Sequence, residues 1–171
     1  MADLIIVIGV AGSGKTTLAQ AIAKHCNLTF LDADDFHSAE AKAHMASGQP
    51  LTDTMRVPWI ERIASSLTSL AQRNESAALA FSGLKQRHRE PLRHCGLTPH
   101  FLFLSGDQRL IAERMSAREG HFMPPALLDS QFKSLEEPDP SREPDVTVLD
   151  ITPPPEELLQ QAIAAIKGSN R

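Results

Sequence analysis

The stretch Leu4-Ile5-Ile6-Val7-Ile8-Gly9-Val10-Ala11-Gly12-Ser13-Gly14-Lys15-Thr16 decides the fold. Its first five residues are an unbroken apolar, mostly β-branched run, the pattern of a strand buried on both faces of a parallel sheet. The next eight fit G-x-x-x-x-G-K-[ST]. Glycines there let backbone N–H groups turn inward around a polyphosphate with no Cβ in the way. The N-terminus of the following helix, marked by Leu18, Ala21 and Ile22 at helical spacing, adds donors and a favourable dipole end. Lys15 then reaches the β/γ phosphates as a point charge, and the Thr16 hydroxyl is a Mg²⁺ ligand. Gly9, Gly12, Ser13, Gly14, Lys15, Thr16 and Thr17 are therefore the expected nucleotide-binding residues, with a nucleoside triphosphate and Mg²⁺ as the ligands.

Further strands are predicted at Leu28–Leu31, Ala78–Phe81, Phe101–Leu104 and Val146–Leu149. Helical patterns fill the gaps. One runs through Trp59, Ile60, Ile63, Leu67 and Leu70. A second, through Leu110, Ile111 and Met115, is started by Asp107 as N-cap. The last runs through Leu158, Leu159, Ala162, Ile163 and Ile166, with Thr152 as its cap and Gly168 as its end. Strands alternating with helices imply an α/β fold, a five-stranded parallel sheet with helices on both faces. The Glu137–Pro144 stretch reads as a surface loop rather than a linker, because a strand and a helix still follow it.

The 171 residues suit a single domain. With 17 basic against 21 acidic residues the net charge is -4, which argues against nucleic acid as the main partner. Aromatics at 5% leave no stacking platform for single strands. The Leu4–Ala11 run is too short to cross a membrane, and Asp3 rather than a basic stretch precedes it, so no secretory signal is expected. Two cysteines, Cys26 and Cys95, make no disulfide framework and fit a reducing cytoplasm.

The strand at Ala78–Phe81 ends in Ser82-Gly83, without the Mg²⁺-holding acid of motor ATPases and GTPases, and no N-K-x-D guanine-reading motif is present. These absences favour a small-molecule or nucleotide kinase. Acids stand instead in Leu31-Asp32-Ala33-Asp34-Asp35-Phe36-His37, where ligands of open α/β sheets bind. Asp32 is the candidate for the Mg²⁺ shell. Asp34, two residues on and facing the same way, is the candidate to accept a proton from a substrate hydroxyl. Aspartates at this place also serve as turn formers and caps, and Asp35 is the best candidate for that role. Arg114 and Arg118, four apart on one helical face, lead into Gly120 and Pro124-Pro125. A lid at about 118–128 carrying these arginines would exclude water and neutralise transition-state charge.

The chain resembles the thermoresistant gluconokinase family of carbohydrate kinases. The match runs through Gly9–Thr16, Asp32–His37, and Met45–Asp53 on to Arg56-Val57-Pro58-Trp59. It continues through Ser82-Gly83-Leu84-Lys85 with Arg89, Arg118–Phe122, and Ser130-Gln131-Phe132 with Leu135–Pro138. The resemblance implies ATP-dependent phosphorylation of D-gluconate to 6-phosphogluconate, a fold like those of nucleoside-monophosphate and shikimate kinases, and a homodimer. A sugar acid needs a cation for its carboxylate and polar groups for its hydroxyls, and His37, Arg56, Lys85 and Arg89 supply these, with His121 and Gln131 as further contacts. Arg56 can grip a carboxylate in bidentate fashion. Lys85 and Arg89, four apart, would share a helical face. A helical segment at about 36–60 is expected to carry the acceptor site. Three positions depart from the family pattern: Ala41 for Asn, His44 for Lys and Met55 for Asp. They leave room for another sugar acid, a shikimate-like hydroxy acid, or a nucleotide sensor without catalysis.

Overall fold

We describe residues 2–117 and 125–169 in a computed structural model of the chain. The Leu4–Ile8 run lies in β1 (Asp3–Ile8), and its five residues are all buried. β1 pairs in parallel with β3 (Ala77–Ala80) on one side and β4 (Thr98–Ser105) on the other. β2 (Thr29–Asp32) flanks β3, and β5 (Val146–Asp150) flanks β4, so the order is β2-β3-β1-β4-β5. The chain winds first to one side of β1 and then to the other. That reversal opens a crevice beyond the carboxyl ends of β1 and β3. The phosphate loop leaves β1 there, Ser82 leaves β3, and Asp32 ends β2.

The helices are α1 (Lys15–Cys26), α2 (Ala39–Ala46), α3 (Asp53–Gln72), α4 (Gln86–Arg89), α5 (Gln108–Ser116), α6 (Pro125–Ser134) and α7 (Pro155–Ser169). Short 3-10 turns occupy Ala33–Phe36 and Glu90–His94. The two faces of the sheet hold separate cores. Ile6, Ile8, Leu79 and Phe81 pack with Trp59, Ile63 and Leu67 of α3. Ile5, Val7, Ala78 and Leu102 pack with Leu18 and Ile22 of α1 and with Leu158 and Ala162 of α7. Each fully buried Leu or Ile contributes about 1.5–3 kcal/mol by leaving water, which is why apolar period and fold agree so closely here.

Local details correct several boundaries. β2 begins one residue later than its apolar run. Asp107 caps α5, its Oδ1 accepting from the Leu110 N–H at 2.8 Å. Thr152 does not cap α7. Its N–H and hydroxyl both donate to Asp150 Oδ1, and the helix begins at Pro155, the third of three consecutive prolines, with the Pro154 carbonyl accepting from the Leu158 N–H. Gly168 lies inside α7 rather than beyond it. Asp35 caps nothing: Asp32 caps the first 3-10 turn and Ser38 caps α2.

Candidate active site

The phosphate loop is built as its motif requires. Gly14 at φ 98° hands the chain to α1. Gly12 sits at φ +77°, and a Cβ there would lie 2.5 Å from Met115 Cγ, so both conformation and space exclude a side chain. The Val10 carbonyl inside the loop accepts from the Ser13 hydroxyl at 2.7 Å and from Lys15 Nζ at 3.0 Å. Burial depresses the Lys15 pKa, and Asp34 and then Asp32 oppose it. The ammonium is thus aimed by the loop and lacks full hydration, the state in which a phosphate oxygen gains most from it.

Two cavities meet at this loop. One of about 470 Å³ is lined by Leu18, Ala21, Arg114, Ile151, Pro154 and Leu158, among others. Its apolar walls and single arginine suit a nucleoside. The other, of about 640 Å³, is lined by Lys15, Thr16, Asp32, Asp34, His37 and Arg56, with Lys42 and Gln131 also on its wall. Gly12, Gly14 and Thr17 border both. A polyphosphate lying in the loop would therefore project its end from the first cavity into the second.

In the second cavity the chemistry is concentrated. The Thr16 hydroxyl donates to Asp32 Oδ2 at 3.1 Å, giving two hard oxygen ligands side by side. Asp32 Oδ1 also accepts from the Asp34 N–H at 3.0 Å, which turns the backbone so that Asp34 enters the cleft. Restricted hydration, and then the Asp32 charge, raise the Asp34 pKa, with Lys15 opposing. The Asp34 side chain is nonetheless 84% exposed, so a substrate hydroxyl can reach it. His37 stacks on Trp59 at 4.3 Å between ring centres. Burial, then the charges of Arg62, Arg56 and Lys42, hold its pKa down to about 4. It is therefore a neutral imidazole at physiological pH. Burial also depresses the Arg56 pKa, and among the described residues nothing accepts a hydrogen bond from its guanidinium.

Two expected substrate contacts lie elsewhere. Arg89 is 1% exposed. Its Nε and Nη2 pair with Glu143 at 2.9 and 2.7 Å, and its Nη1 donates to the Gly83 and Glu136 carbonyls. Lys85 donates to Asp53 at 3.0 Å and does not line the cleft. The shared-face expectation fails because α4 is only one turn long: Lys85 is its cap, and Arg89 points into the loop that ends at Glu143. Gln131 does reach the cleft, but its Oε1 already accepts from the Ala11 N–H at 2.7 Å. Arg118, His121 and the 118–124 part of the expected lid lie outside the described residues.

Sequence reasoning passed over Lys42, although it is the only Lys or Arg between His37 and Arg56. It also passed over Trp59 as the floor beneath His37. The three departures from the family pattern avoid the cleft lining. Ala41 is buried within α2, His44 Nε2 lies 3.1 Å from the Pro50 carbonyl oxygen, and the Met55 N–H donates to the Thr52 cap. α2 faces the cleft through Lys42 and Met45 instead.

A family described as an AAA domain matches residues 4–138. The thermosensitive gluconokinase of Escherichia coli (strain K12) is 42% identical over 149 residues, covering 87% of this chain and 79% of that protein. The thermoresistant gluconokinase of the same organism is 35% identical over 164 residues, covering 96% and 93%. The crystal structure of a gluconokinase from Sinorhizobium meliloti 1021 superposes with a TM-score of 0.86 at 38% identity, covering 96% of this chain and 91% of that one. With its phosphate loop, parallel sheet and acceptor cleft, the chain belongs to the gluconokinase family of phosphate-loop kinases.

Proposed function

We propose that this protein transfers the γ-phosphoryl group of ATP to D-gluconate, giving 6-phosphogluconate and ADP. The observation that carries the reading is a single cleft holding Arg56, whose guanidinium has no hydrogen-bond acceptor among the described residues, and the solvent-reachable carboxylate of Asp34, on the acceptor side of a phosphate loop. The gluconate carboxylate pairs with Arg56, and its hydroxyls meet His37 and Lys42. The reacting hydroxyl lies against Asp34, which accepts its proton as the oxygen attacks the γ-phosphorus and the bond to the ADP oxygen breaks. The raised pKa of Asp34 makes it a stronger base than an ordinary aspartate.

Lys15 and the N–H groups from Gly12 to Thr17 would hold the phosphates. Gly9 gives the loop room to turn. Arg114 borders the nucleoside cavity and can reach toward the phosphates. Thr16 and Asp32 would hold Mg²⁺, and their hard oxygen pair suits an ion that keeps waters and substrate phosphates as its other ligands. The ion supplies neutralisation of the developing phosphate charge. Arg118 is proposed to stabilise the transferring group and His121 to contact substrate, both from the family resemblance. The same resemblance supports a homodimer. The two cysteines, unpaired with each other, support a cytoplasmic setting, and no described helix is long and apolar enough to cross a membrane.

The test is ADP release by the intact protein with ATP and Mg²⁺, measured over D-gluconate, other aldonic acids, shikimate and nucleoside monophosphates. Turnover is expected with gluconate above all others. ATP binding without acceptor-stimulated ADP release would establish a sensor instead.

A further inference from the structure

One peptide unit of the phosphate loop is held from both ends. The Val10 carbonyl accepts from the Ser13 N–H at 3.3 Å, the Ser13 hydroxyl at 2.7 Å and Lys15 Nζ at 3.0 Å. The N–H of the same peptide, on Ala11, donates to Gln131 Oε1 at 2.7 Å. Gly9 precedes this unit and Gly12 follows it, both at positive φ. The glycines on either side do little to fix the short Val10-Ala11 segment, so its orientation rests on these hydrogen bonds. Gln131 stands 120 residues away in sequence, on a helix that is itself firmly seated. Leu127 and Leu128 of α6 are 6% and 4% exposed. Just beyond its end, the Glu136 N–H donates to the Leu84 carbonyl at 2.7 Å, and the Glu136 carbonyl accepts from buried Arg89. Leu84 also lines the acceptor cleft.

We propose that Gln131 is a positioning residue for phosphoryl transfer, fixing the Val10–Ala11 peptide so that its carbonyl faces Lys15. The ammonium has three donors, so it can keep the Val10 carbonyl and still engage phosphate oxygens. With the peptide flipped, that carbonyl turns away and Lys15 loses its guide. Through Oε1, Gln131 acts on Lys15 by way of the Ala11 peptide. The same helix reaches Leu84 through Glu136, so donor loop and acceptor wall share one support. The inference rests on the kinase reading above.

Gln131→Met keeps the volume and removes the acceptor, whereas Gln131→Glu keeps an acceptor oxygen. In the nucleotide-free full-length protein, Gln131→Met is expected to speed amide exchange at Ala11 by about tenfold, and Gln131→Glu to preserve its protection. In the gluconate assay, Gln131→Met lowers kcat by about tenfold and leaves the gluconate KM within about twofold. Unchanged Ala11 exchange in Gln131→Met overturns the proposal. So does a raised gluconate KM at unaltered kcat, which would make Gln131 a substrate contact. If the wild-type protein turns over no gluconate, the functional reading fails, while the Ala11 exchange comparison still decides whether Gln131 holds the loop.

Discussion

Thr16 and Asp32 are joined by a hydrogen bond of 3.1 Å between Oγ1 and Oδ2, linking the first turn of α1 to the end of β2. Two oxygens held this close suit the proposed Mg²⁺ site, where water and substrate phosphates would supply the other ligands. Asp32→Asn and Thr16→Val are expected to cut kcat/KM by about a hundredfold or more, the scale of losing one preorganised contact to developing charge. Raising Mg²⁺ should recover part of the loss. A Mg²⁺ titration of activity in each variant checks this, and an unaltered Mg²⁺ requirement would remove both residues from the metal site.

Asp34 predicts a pH dependence. Its pKa is raised by restricted hydration and by Asp32, and in the proposed role of base it would work only when ionised. The acid limb of kcat/KM is therefore expected above the usual aspartate range, with activity falling as pH drops through it. Asp34→Asn removes the limb and lowers kcat by about 10²–10⁴-fold, the usual worth of a positioned base. The stability sign is opposite. A carboxyl whose proton is held more tightly in the fold favours folding at low pH and opposes it once ionised. Asp34→Asn should thus leave the neutral-pH melting temperature unchanged or higher.

The sheet and the phosphate loop were legible because each rests on a local rule. Five apolar residues must be buried, and glycines at fixed spacing must turn a backbone inward. Asp32, Asp34, His37 and Arg56 were legible through strand-end logic and family resemblance together, and the structure brings all four to one cavity. Arg89 was misread because its partner Glu143 stands 54 residues away, and no spacing rule shows that a cation is already paired. Lys42 escaped notice because exposure on a short helix leaves no periodic mark. Thr152 looked like a cap only because its engagement by Asp150 is invisible in the sequence.

Arg89 should behave as a structural residue. Breaking a buried pair leaves an uncompensated charge, so Arg89→Met is expected to destabilise the fold by about 3–5 kcal/mol. Arg93 stays bonded to Glu143 at 2.8 Å, which favours the lower end. Arg89→Met/Glu143→Gln should recover part of the loss, because no buried charge is then stranded. Chemical denaturation of the three variants measures this. A rise in gluconate KM without loss of stability in Arg89→Met would return the residue to the substrate site.

His37 ties pH to folding. Its pKa is about 4 in the fold against 6.5 in the open chain, so the unfolded chain binds more protons between these values. Stability from this group is complete above about pH 6.5 and is lost as pH falls toward 4. His37→Phe keeps a ring on Trp59 and should flatten the melting temperature over that interval. Melting curves from pH 4 to 7 on both proteins test it, and identical slopes would show that His37 does not stay neutral.

Arg56 separates the acceptor from the donor. Its guanidinium lies in the acceptor cavity and not in the nucleoside cavity, and nothing described neutralises it by a hydrogen bond. A charge-assisted pair with a carboxylate is worth about 1.5–3 kcal/mol, or roughly ten- to a hundredfold in affinity. Arg56→Ala is expected to raise the gluconate KM by that factor and leave the ATP KM nearly unchanged. Arg56→Lys should recover only part, since an ammonium cannot match a carboxylate with two parallel N–H donors. An uncharged analogue of gluconate, with an amide in place of the carboxylate, should bind Arg56→Ala and wild type about equally. Should the amide still prefer the wild type, Arg56 would be reading hydroxyls rather than the acid.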